Sequence, residues 1–334
     1  MASPLVTSVN WGDIVTTTLE ARSGNVADNV SNNNALYWQF KKKKQEFFDG
    51  GREIYQELRY AENQNFMWYS GTEPVNVTHN DTMTAARYPL KQASIAIMLS
   101  GLDQIQNSGD AAKMNLIEQR VDSAMATIQN QMSASIYSDG TGFGGKQIGG
   151  LGLIISKAPT TGIVGGIDRS LASNTWWRNI AFNANTDVLG LVTQTNIVDY
   201  MNKTTINLKR NSDGVDTIVA DNNFYLAYLK NLQLIQRVTS ETGSMGAGFT
   251  SLKYYGAGKE VDVILDGGRN GQIPTNTMYF INSEYLHYKP ARERNWKVFG
   301  GDRTNINQDA IVRLMGWAGN FTADNCQLHG VLFQ

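Results

Sequence analysis

The sequence has little of the side-chain chemistry on which disulfide-bonded, metal-binding and membrane proteins depend. Cys326 is the only cysteine among 334 residues, so an intrachain disulfide is impossible and a structural zinc site would have no second thiolate. The three histidines, His79, His287 and His329, lie far apart and not at the spacing of a metal-binding pair. No run approaches the roughly 18 apolar residues of a membrane span, and no signal peptide is expected from the first residues. We therefore expect no cofactor, no metal, no membrane contact and folding in a reducing cytoplasm.

Charge is also scarce in this chain. Charged residues make up 18%, below the usual quarter, and Asn is as frequent as Gly, at 32 residues. Neutral polar groups are cheaper to bury at a contact than charges are, so this composition suits a protein with many polar contacts. The net charge of −1 argues against a dedicated DNA-binding protein, which carries a basic excess. It is compatible with a container whose inner wall tolerates DNA without binding it tightly.

Apolar periodicity predicts a mixture of helices and strands. Apolar residues between 114 and 136 recur every three or four positions, which predicts one long helix over 108–137. Further helices are predicted at 190–210 and 224–238, and a Gly-rich loop at 239–258. Strands are predicted at 217–220, 261–265, 278–281, 310–317 and 327–333. Helices and strands alternate without a regular βαβ rhythm, so we assign the fold class α+β.

Residues 52–100 predict a long β-hairpin with an irregular, aromatic tip. Apolar side chains alternate with polar ones near residue 54, and the alternation returns over 93–99. An isolated two-stranded hairpin is marginal in water, so this one needs a partner surface. We expect six of its side chains to contact a neighbouring subunit: Ile54, Leu58, Tyr60, Phe66, Trp68 and Tyr69. Residues 1–48 are interpreted as an arm with too little apolar surface to fold alone.

Two basic segments stand out. The first is a run of four lysines beside aromatic residues: Lys41, Lys42, Lys43 and Lys44. It predicts either a solvated helix end or a strip that faces a lumen. The second is a looser cluster of Lys289, Arg292, Arg294, Lys297 and Arg303. We interpret it as a loop that pairs with acidic residues of neighbouring copies, with nucleic-acid contact or plain solvation as alternatives.

Residues 140–146 match two glycine-rich phosphate-binding patterns by letter. A phosphate loop needs Ser or Thr after its lysine, but Gln147 follows Lys146. Such a loop also follows a strand, whereas a long helix is predicted here. We interpret the segment as a flexible exit from that helix, and the adjacent Trp176 and Trp177 as packing residues on the two faces of a strand.

Short runs spread in order along the chain resemble the major capsid proteins of tailed bacteriophages. The runs are EARSG at 20–24, ADN at 27–29, EN at 62–63, WYSG at 68–71, SGL at 100–102, GGL at 149–151, GGIDRS at 165–170, TWWRN at 175–179, GGDR at 300–303 and GWAGN at 316–320. The resemblance is carried by their order and number, since each run alone is short. It implies the Hong Kong 97-like capsid fold.

The resemblance also implies a division of the chain. Residues 1–48 would be the N-terminal arm and 49–107 the extended loop. Residues 108–210 would hold the spine helix and the first part of a peripheral domain, and 211–265 the first part of an axial domain. Residues 266–315 would return to the peripheral domain, and 316–334 would supply C-terminal axial strands.

The function implied by the resemblance is structural and not enzymatic. The chain would assemble into pentamers and hexamers of an icosahedral shell that encloses double-stranded phage DNA, assembled in the host cytoplasm and located in the virion capsid. A separate scaffolding protein, a portal protein and a cement protein are the expected partners. Residues 52–90 contain no Lys, so the isopeptide cross-link of some family members is not expected. The alternatives are an encapsulin-like nanocompartment and a nucleotide-dependent enzyme that uses Lys146.

Overall fold

The computed structural model describes residues 34–43, 46–106, 116–235, 243–245, 249–305 and 308–334. Most of the predicted arm, the start of the predicted long helix and Lys44 therefore lie outside the described residues. The described chain begins with helix α1 (Ala35–Lys43), which turns Leu36, Tyr37 and Phe40 into the interior. This part of the predicted arm is thus packed on the chain's own body.

The predicted hairpin is present, but its return strand differs from the prediction. Strand β1 (Glu53–Arg59) pairs antiparallel with β2 (Met83–Pro89), and the alternating burial of β1 matches the period expected from its sequence. The alternating residues at 93–99 belong instead to β3 (Lys91–Ser100), which joins another sheet. Strand β2 was missed because its small and polar residues give no clear alternation in the sequence. Its inward face consists of the buried Ala86 and Tyr88.

The long helix packs one face against the larger group of buried apolar residues. After the short helix α2 (Gly101–Gln106), helix α3 (Leu116–Ile136) buries Ile128, Met132 and Ile136 on the predicted apolar face. At the usual rise of 1.5 Å per residue, α3 is about 30 Å long. Two one-turn helices follow, α4 (Gly142–Gly145) and α5 (Leu151–Ile154).

The second half of the chain is built from shorter helices and longer strands. In chain order these are β4 (Ile163–Val164), β5 (Ile167–Asp168), a 3-10 helix (Ala172–Trp177), β6 (Ile180–Asn183), α6 (Ile197–Asn207), β7 (Thr217–Ala220), α7 (Asn222–Ile235), β8 (Gly243–Met245), β9 (Phe249–Gly256), β10 (Lys259–Leu265), β11 (Thr277–Ile281), a 3-10 helix (Ser283–Tyr285), β12 (Leu286–Asn305), β13 (Gln308–Ala323) and β14 (Gly330–Phe333). Trp176 and Trp177 therefore lie in a helical turn, and their predicted placement on a strand was wrong. Ser173 and Asn174 favour a turn at that point.

Seven of the described strands form one mixed sheet in the order β6-β14-β11-β7-β10-β9-β8. Strand β14 runs parallel to β6 and β10 runs parallel to β7, while the other neighbours are antiparallel. The loop predicted at 239–258 was wrong for β8 and β9, which pair with each other, and β9 also pairs with β10 through a tight turn at Ala257 and Gly258. The glycines in that segment favoured a loop in the sequence, so the buried Tyr254 was not recognised as the inward-facing residue of a strand.

A second sheet has three described strands in the order β12-β13-β3, all antiparallel. The basic cluster predicted to be a loop lies on β12, so that prediction was wrong about its backbone. Strand β12 continues past Pro290. Its register against β13 is interrupted between Pro290 and Asn295 and pairing resumes from Asn295, and a proline is tolerated at such an irregularity.

Two groups of buried apolar residues fill the molecule. One lies between α1, α3, the β1–β2 hairpin and the three-stranded sheet, and the other lies between α6, α7 and the seven-stranded sheet. Sheet membership does not follow the domain boundaries predicted at 266 and 316. Strand β11 belongs to the same sheet as β7 and β10, and β13 stays paired with β12 up to Ala323.

Candidate functional site

The end of the β1–β2 hairpin presents aromatic side chains to solvent. Within residues 60–82, called the hairpin tip below, Phe66 is 76% exposed, Trp68 is 89% exposed and Tyr69 is 64% exposed. The rings of Phe66 and Trp68 meet edge to face with their centroids 5.7 Å apart. Large apolar groups clustered in this way on a projecting element mark an interaction site.

The tip is held in shape by its own amide groups. Asn65 Nδ2 donates to Thr78 O at 2.6 Å, and Asn80 Nδ2 donates to Asn63 Oδ1 at 3.1 Å. Both bonds connect the outgoing half of the tip with the returning half. The aromatic side chains are therefore presented on a loop with internal hydrogen bonds, which reduces the entropy lost when a partner binds.

The tip carries charge of one sign only. Its carboxylates are Glu62, Glu73 and Asp81, and residues 60–82 contain no Lys or Arg, so with His79 neutral the net charge is −3. The tip thus combines an aromatic patch with an acidic field, which favours a partner surface that is apolar at its centre and basic at its edge.

The root of the hairpin is anchored in the chain's own core. Ile54 and Leu58 are buried there, and Tyr88 Oη donates to Ala323 O at 3.0 Å. The prediction that Ile54 and Leu58 contact a neighbouring subunit is therefore corrected, since both side chains already have intramolecular neighbours. Tyr60 is half-buried, with its ring 5.5 Å from that of Trp176.

The basic residues on β12 find several of their partners within the same chain. Arg292 Nε donates to Asp49 Oδ1 at 2.5 Å, and Lys289 Nζ lies 3.0 Å from Glu46 Oε2. The Arg292 guanidinium holds the pKa of Asp49 below its ordinary value. For Arg292 the predicted acidic partner is thus its own chain's Asp49.

Two further arginines of this cluster differ in what the structure shows. Arg294 lies over the Phe299 ring at 4.9 Å, with its side chain exposed, and intersubunit contact by Arg294 stays a prediction. Arg303 pairs along the backbone with Val312, and its side chain is outside the described part. Its contact with a neighbouring subunit also stays a prediction.

The lysine strip begins on the last turn of α1. Lys41 Nζ lies 4.9 Å from the centre of the Trp38 ring, Lys42 is exposed, and Lys43 is the last residue of the helix. This agrees with a solvated helix end, where cations complement the negative end of the helix dipole. Whether the strip faces a lumen stays a prediction.

The glycine-rich segment 140–146 does not have the structure of a phosphate loop. It follows helix α3 and contains left-handed residues at Phe143 and Gly144, with φ of 53° and 67°. Lys91 Nζ donates a hydrogen bond to Gly145 O from outside the segment. A phosphate loop requires a strand before it and a helix that starts at the phosphate, and neither is found here.

The single cysteine, Cys326, and the histidine His329 are both fully buried in the core. Burial raises the pKa of the Cys326 thiol to about 11 and lowers the pKa of His329 to about 3, so both groups are neutral near pH 7. His329 Nδ1 accepts a hydrogen bond from Asn282 N at 3.2 Å. Among the residues that the structure describes, no three His, Cys, Asp or Glu side chains are grouped as metal ligands would be.

Sequence reasoning missed the buried Arg169. Its guanidinium donates to three backbone carbonyls, Trp177 O at 3.0 Å, Leu153 O at 3.2 Å and Ile154 O at 2.6 Å. Arg169 therefore fastens three separated segments around β4 and β5. It lies in the GGIDRS run that carries part of the resemblance, but no periodicity or spacing marks an arginine as buried.

Solved structures with the same arrangement cover almost the whole chain. The chain is similar to the capsid asymmetric unit of cyanophage A-1(L), with a TM-score of 0.66 and 14% identity over 96% of this chain and 98% of that one. The Hong Kong 97-like fold is the fold of this chain. Its α+β class and the fold implied by the sequence resemblance are thereby confirmed.

Two further structures share this Hong Kong 97-like arrangement. The capsid of a native GTA particle matches with a TM-score of 0.60 and 12% identity over 93% of both chains. An encapsulin complex from Synechococcus elongatus PCC 7942 matches with a TM-score of 0.53 and 8% identity over 92% of this chain and 91% of that one. By sequence, no family model and no curated protein matches the chain. In the described part of this fold, no helix has the length and apolarity needed to cross a membrane.

Proposed function

We propose that this chain is the structural subunit of a tailed-phage capsid. In this proposal it assembles into pentamers and hexamers of an icosahedral shell that encloses double-stranded DNA and forms the capsid of the virion. The observation that carries the proposal is the match of the Hong Kong 97-like fold to the cyanophage A-1(L) capsid over 96% of the chain.

The hairpin tip supplies the physical reason to expect assembly. Three aromatic side chains bury roughly 150–250 Å² each when a partner covers them, which is a large part of the ~800 Å² that each partner contributes to a standard interface. A patch that fits a different surface of the same molecule makes head-to-tail contacts, and such contacts close into rings. Rings of five and six subunits are the expected products.

The proposed domain names follow the elements of the structure. The β1–β2 hairpin is the extended loop, α3 is the spine helix, and the three-stranded sheet with α3 forms the peripheral domain. The seven-stranded sheet with α6 and α7 forms the axial domain. In this arrangement the tip projects from the peripheral side, away from the ring centres.

The chain's charge fits a container for DNA. A net charge of −1 gives no general attraction for a polyanion, and the basic residues are local. Lys41 and Lys42 would be the lumen-facing part of the lysine strip. We include a separate scaffolding protein, a portal protein and a cement protein as proposed partners, and we expect non-covalent stabilisation because residues 52–90 contain no Lys.

An encapsulin-like compartment is the second candidate. The match to the Synechococcus elongatus encapsulin complex favours it, although its TM-score of 0.53 is below the 0.66 of the cyanophage capsid. Gene neighbours separate the two functions. Portal, terminase and scaffolding genes beside this one indicate a phage, and a gene for a cargo enzyme indicates a compartment.

The test is assembly of the purified chain, alone and with its scaffolding candidate, followed by electron microscopy and sedimentation. We expect closed particles whose subunits separate in denaturing gels without covalent multimers. A triple variant, Phe66→Ser with Trp68→Ser and Tyr69→Ser, should keep the melting temperature of the subunit and lose particle formation.

Val188→Ser is the matched control, because Val188 is an apolar side chain outside the hairpin that is fully exposed, at 103%. It should leave particle formation unchanged. A wild-type chain that remains a monomer under all these conditions would refute the proposed function.

A further inference from the structure

Residues 46–49, called the strap below, lie between α1 and β1 and run beside β12 as a short parallel segment. Glu46 N donates a hydrogen bond to Tyr288 O at 3.0 Å. Phe48 N donates one to Pro290 O, also at 3.0 Å. So short a segment forms few backbone bonds, and its attachment therefore depends on the side chains around it.

The side chain of His287 lies between the strap and the end of β13. Its Nδ1 is 2.9 Å from Glu46 Oε1 on the strap, and its Nε2 is 2.9 Å from Asp324 Oδ2, one residue after β13. Only 8% of His287 is exposed, so solvent screens these contacts weakly. One buried imidazole therefore meets a carboxylate at each of its two nitrogens.

The two contacts favour a proton on each nitrogen of the ring. A neutral imidazole has one N–H, and its other nitrogen has an unshared electron pair. In either neutral form of His287, that electron pair would face a carboxylate oxygen at 2.9 Å, which is repulsive. The Nδ1 N–H is not aligned for a hydrogen bond to Glu46, so the attraction at that contact comes from the charge of the ring. The closed strap thus favours the imidazolium form.

The surrounding charges also favour a protonated ring. Lys289 Nζ lies 3.0 Å from Glu46 Oε2 and shares that carboxylate with the ring. Thr322, paired with His287 across the sheet, and Gln56, which donates a hydrogen bond to Thr322, add no charge. The described groups that form ion pairs at His287 and the strap are three carboxylates and two permanent cations, namely Glu46, Asp49, Asp324, Lys289 and Arg292. A proton on His287 makes the two signs equal in number.

We propose that His287 is a proton-controlled latch for the strap: the charged ring holds residues 46–49 on β12, and loss of its proton releases them. Deprotonation converts the attraction at one of the two carboxylates into repulsion, and separation of the strap from β12 relieves it. Release of the strap and release of the proton are therefore linked, so a rise in pH favours the open strap. This switch belongs to the single chain and does not depend on assembly into a shell.

The latch acts on the connection between two elements of the fold. Helix α1 ends at Lys43, before the strap, and β1 begins at Glu53, after it. While the strap is closed, both elements are tied to β12 at the edge of the three-stranded sheet. When it is open, each is held by its own packing in the core. A rise in pH should therefore loosen 46–49 and leave α1 and β1 folded.

The test is hydrogen exchange of the Glu46 and Phe48 N–H groups in the full-length unassembled subunit, corrected for the pH dependence of unprotected amides. The range is pH 7 to 9, where the buried Asp266 no longer changes stability, because burial raises its pKa only to about 6. We expect the open fraction of the strap to rise roughly fivefold, which corresponds to about 1 kcal/mol for a partly exposed ion pair. The N–H groups of β1 should show no such rise.

Two histidine variants separate the latch from other effects of pH. His287→Gln has no titrating group at this position, so its open fraction should be the same at pH 7 and pH 9. His79→Gln, at an exposed position of the hairpin tip, is the matched control and should keep the wild-type rise.

Asp324→Asn tests the latch with His287 in place. The amide of the variant can donate to Nε2 while the neutral ring keeps its N–H at Nδ1 toward Glu46, so the strap should stay closed up to pH 9. Selective ¹⁵N labelling of histidine should show protons on both ring nitrogens of His287 in the wild type at pH 7. A constant open fraction in the wild type, an equal rise in the wild type and Asp324→Asn, or a neutral His287 ring beneath a closed strap would overturn the proposal.

Discussion

The carboxyl group of Asp266 caps the N-terminus of α1: its Oδ1 accepts a hydrogen bond from the backbone N–H of Leu36 at 3.3 Å. The two residues are 230 positions apart in the sequence. Its other oxygen, Oδ2, accepts a hydrogen bond from Tyr137 Oη at the end of α3. One buried side chain therefore joins α1, α3 and the end of β10. A negative charge beside a helix N-terminus is stabilised by the helix dipole, but here it is removed from water.

Replacing Asp266 by Asn should flatten the pH dependence of stability. Burial raises the pKa of Asp266 to about 6, although the bonds from Tyr137, Leu36 and Ala35 lower it. The folded state therefore holds the proton more tightly than the unfolded chain, whose carboxyl has an ordinary pKa of 3.8. The stability contributed by this group is fully present below about pH 4 and is lost as the pH rises through about 6, by up to about 3 kcal/mol.

The measurement is urea unfolding of the unassembled subunit at pH 4.5, 5.5, 6.5 and 7.5. Asp266→Asn keeps an acceptor for the Leu36 N–H and carries no charge, so the variant should be at least as stable as the wild type at pH 7.5. Its advantage should shrink toward pH 4.5. Asp199→Asn, at an exposed position on α6, is the control. A difference in the free energy of unfolding between Asp266→Asn and the wild type that stays the same at all four pH values would contradict the prediction.

Arg169→Lys should destabilise the subunit severely despite the retained charge. The planar guanidinium of Arg169 satisfies the carbonyls of Leu153, Ile154 and Trp177, and a single ammonium on a shorter side chain cannot reach all three. Each buried carbonyl left without a donor costs about 1–3 kcal/mol, so we expect a loss of about 3 kcal/mol or more in the free energy of unfolding.

Chemical denaturation checks this loss, with Arg87→Lys as the control because the Arg87 side chain is exposed beside the Tyr55 ring. The control should change the free energy of unfolding by less than about 0.5 kcal/mol. Equal stability of Arg169→Lys and the wild type would show that the three carbonyls find other donors.

The sequence made the local features of this fold predictable and hid the long-range ones. Helical period locates α3, and alternation locates β1 and β3, because each pattern is a property of neighbouring residues. The partner of β1 was missed, since strand pairing depends on residues far apart and β2 has no clear alternation. The same reason hides Arg169 and Asp266, whose burial depends on carbonyls and N–H groups brought together only by folding.

The candidate site shows the same division. The exposed aromatics of the tip followed from a polar, turn-rich stretch that carries Phe66, Trp68 and Tyr69 between two strands. Ile54 and Leu58 were assigned to the wrong surface because an apolar alternation does not tell which body the apolar face covers.

Glu46→Gln should make the segment before β1 easier to detach from β12. Glu46 lies 2.9 Å from His287 Nδ1 and 3.0 Å from Lys289 Nζ, and its own N–H donates to Tyr288 O at 3.0 Å. Burial favours the neutral acid, but the hydrogen bonds and charges of Lys289 and His287 outweigh it and hold the pKa of Glu46 below its ordinary value. A carboxyl with a lowered pKa contributes stability above its ordinary pKa, and this contribution disappears as the pH falls through the lowered value.

Because Glu46 is about half exposed, the expected loss at pH 7 is only about 0.2–1 kcal/mol. Hydrogen exchange of the backbone N–H groups of Glu46 and Phe48, which bond to Tyr288 O and Pro290 O, measures it locally. Exchange should be faster in Glu46→Gln at pH 7, and the difference should vanish in acid. Glu57→Gln, at an exposed position of β1, should have no such effect.

Gly165→Ala should loosen the hairpin from the body of the subunit. Gly165 has φ of +58°, and a Cβ there would lie 2.7 Å from Ala86 Cβ and 3.1 Å from the Tyr88 ring, on the inward face of β2. The carbonyl of Gly165 also accepts a hydrogen bond from Arg87 N at 2.8 Å, so displacement of this turn breaks the connection between the turn and β2. The left-handed backbone alone costs an L-residue about 1–2 kcal/mol, and the overlap adds to it.

Gly166→Ala separates these two causes. Gly166 occupies the same turn with φ of +76°, and a Cβ there meets no atom within 4 Å. Both variants should therefore lose the backbone contribution, but only Gly165→Ala should speed hydrogen exchange and proteolysis across 83–89. If tip presentation depends on a firmly seated root, Gly165→Ala should also lower the yield of particles more than Gly166→Ala does. Equal exchange over 83–89 in the two variants would show that the contact between Gly165 and Ala86 does not hold the hairpin in place.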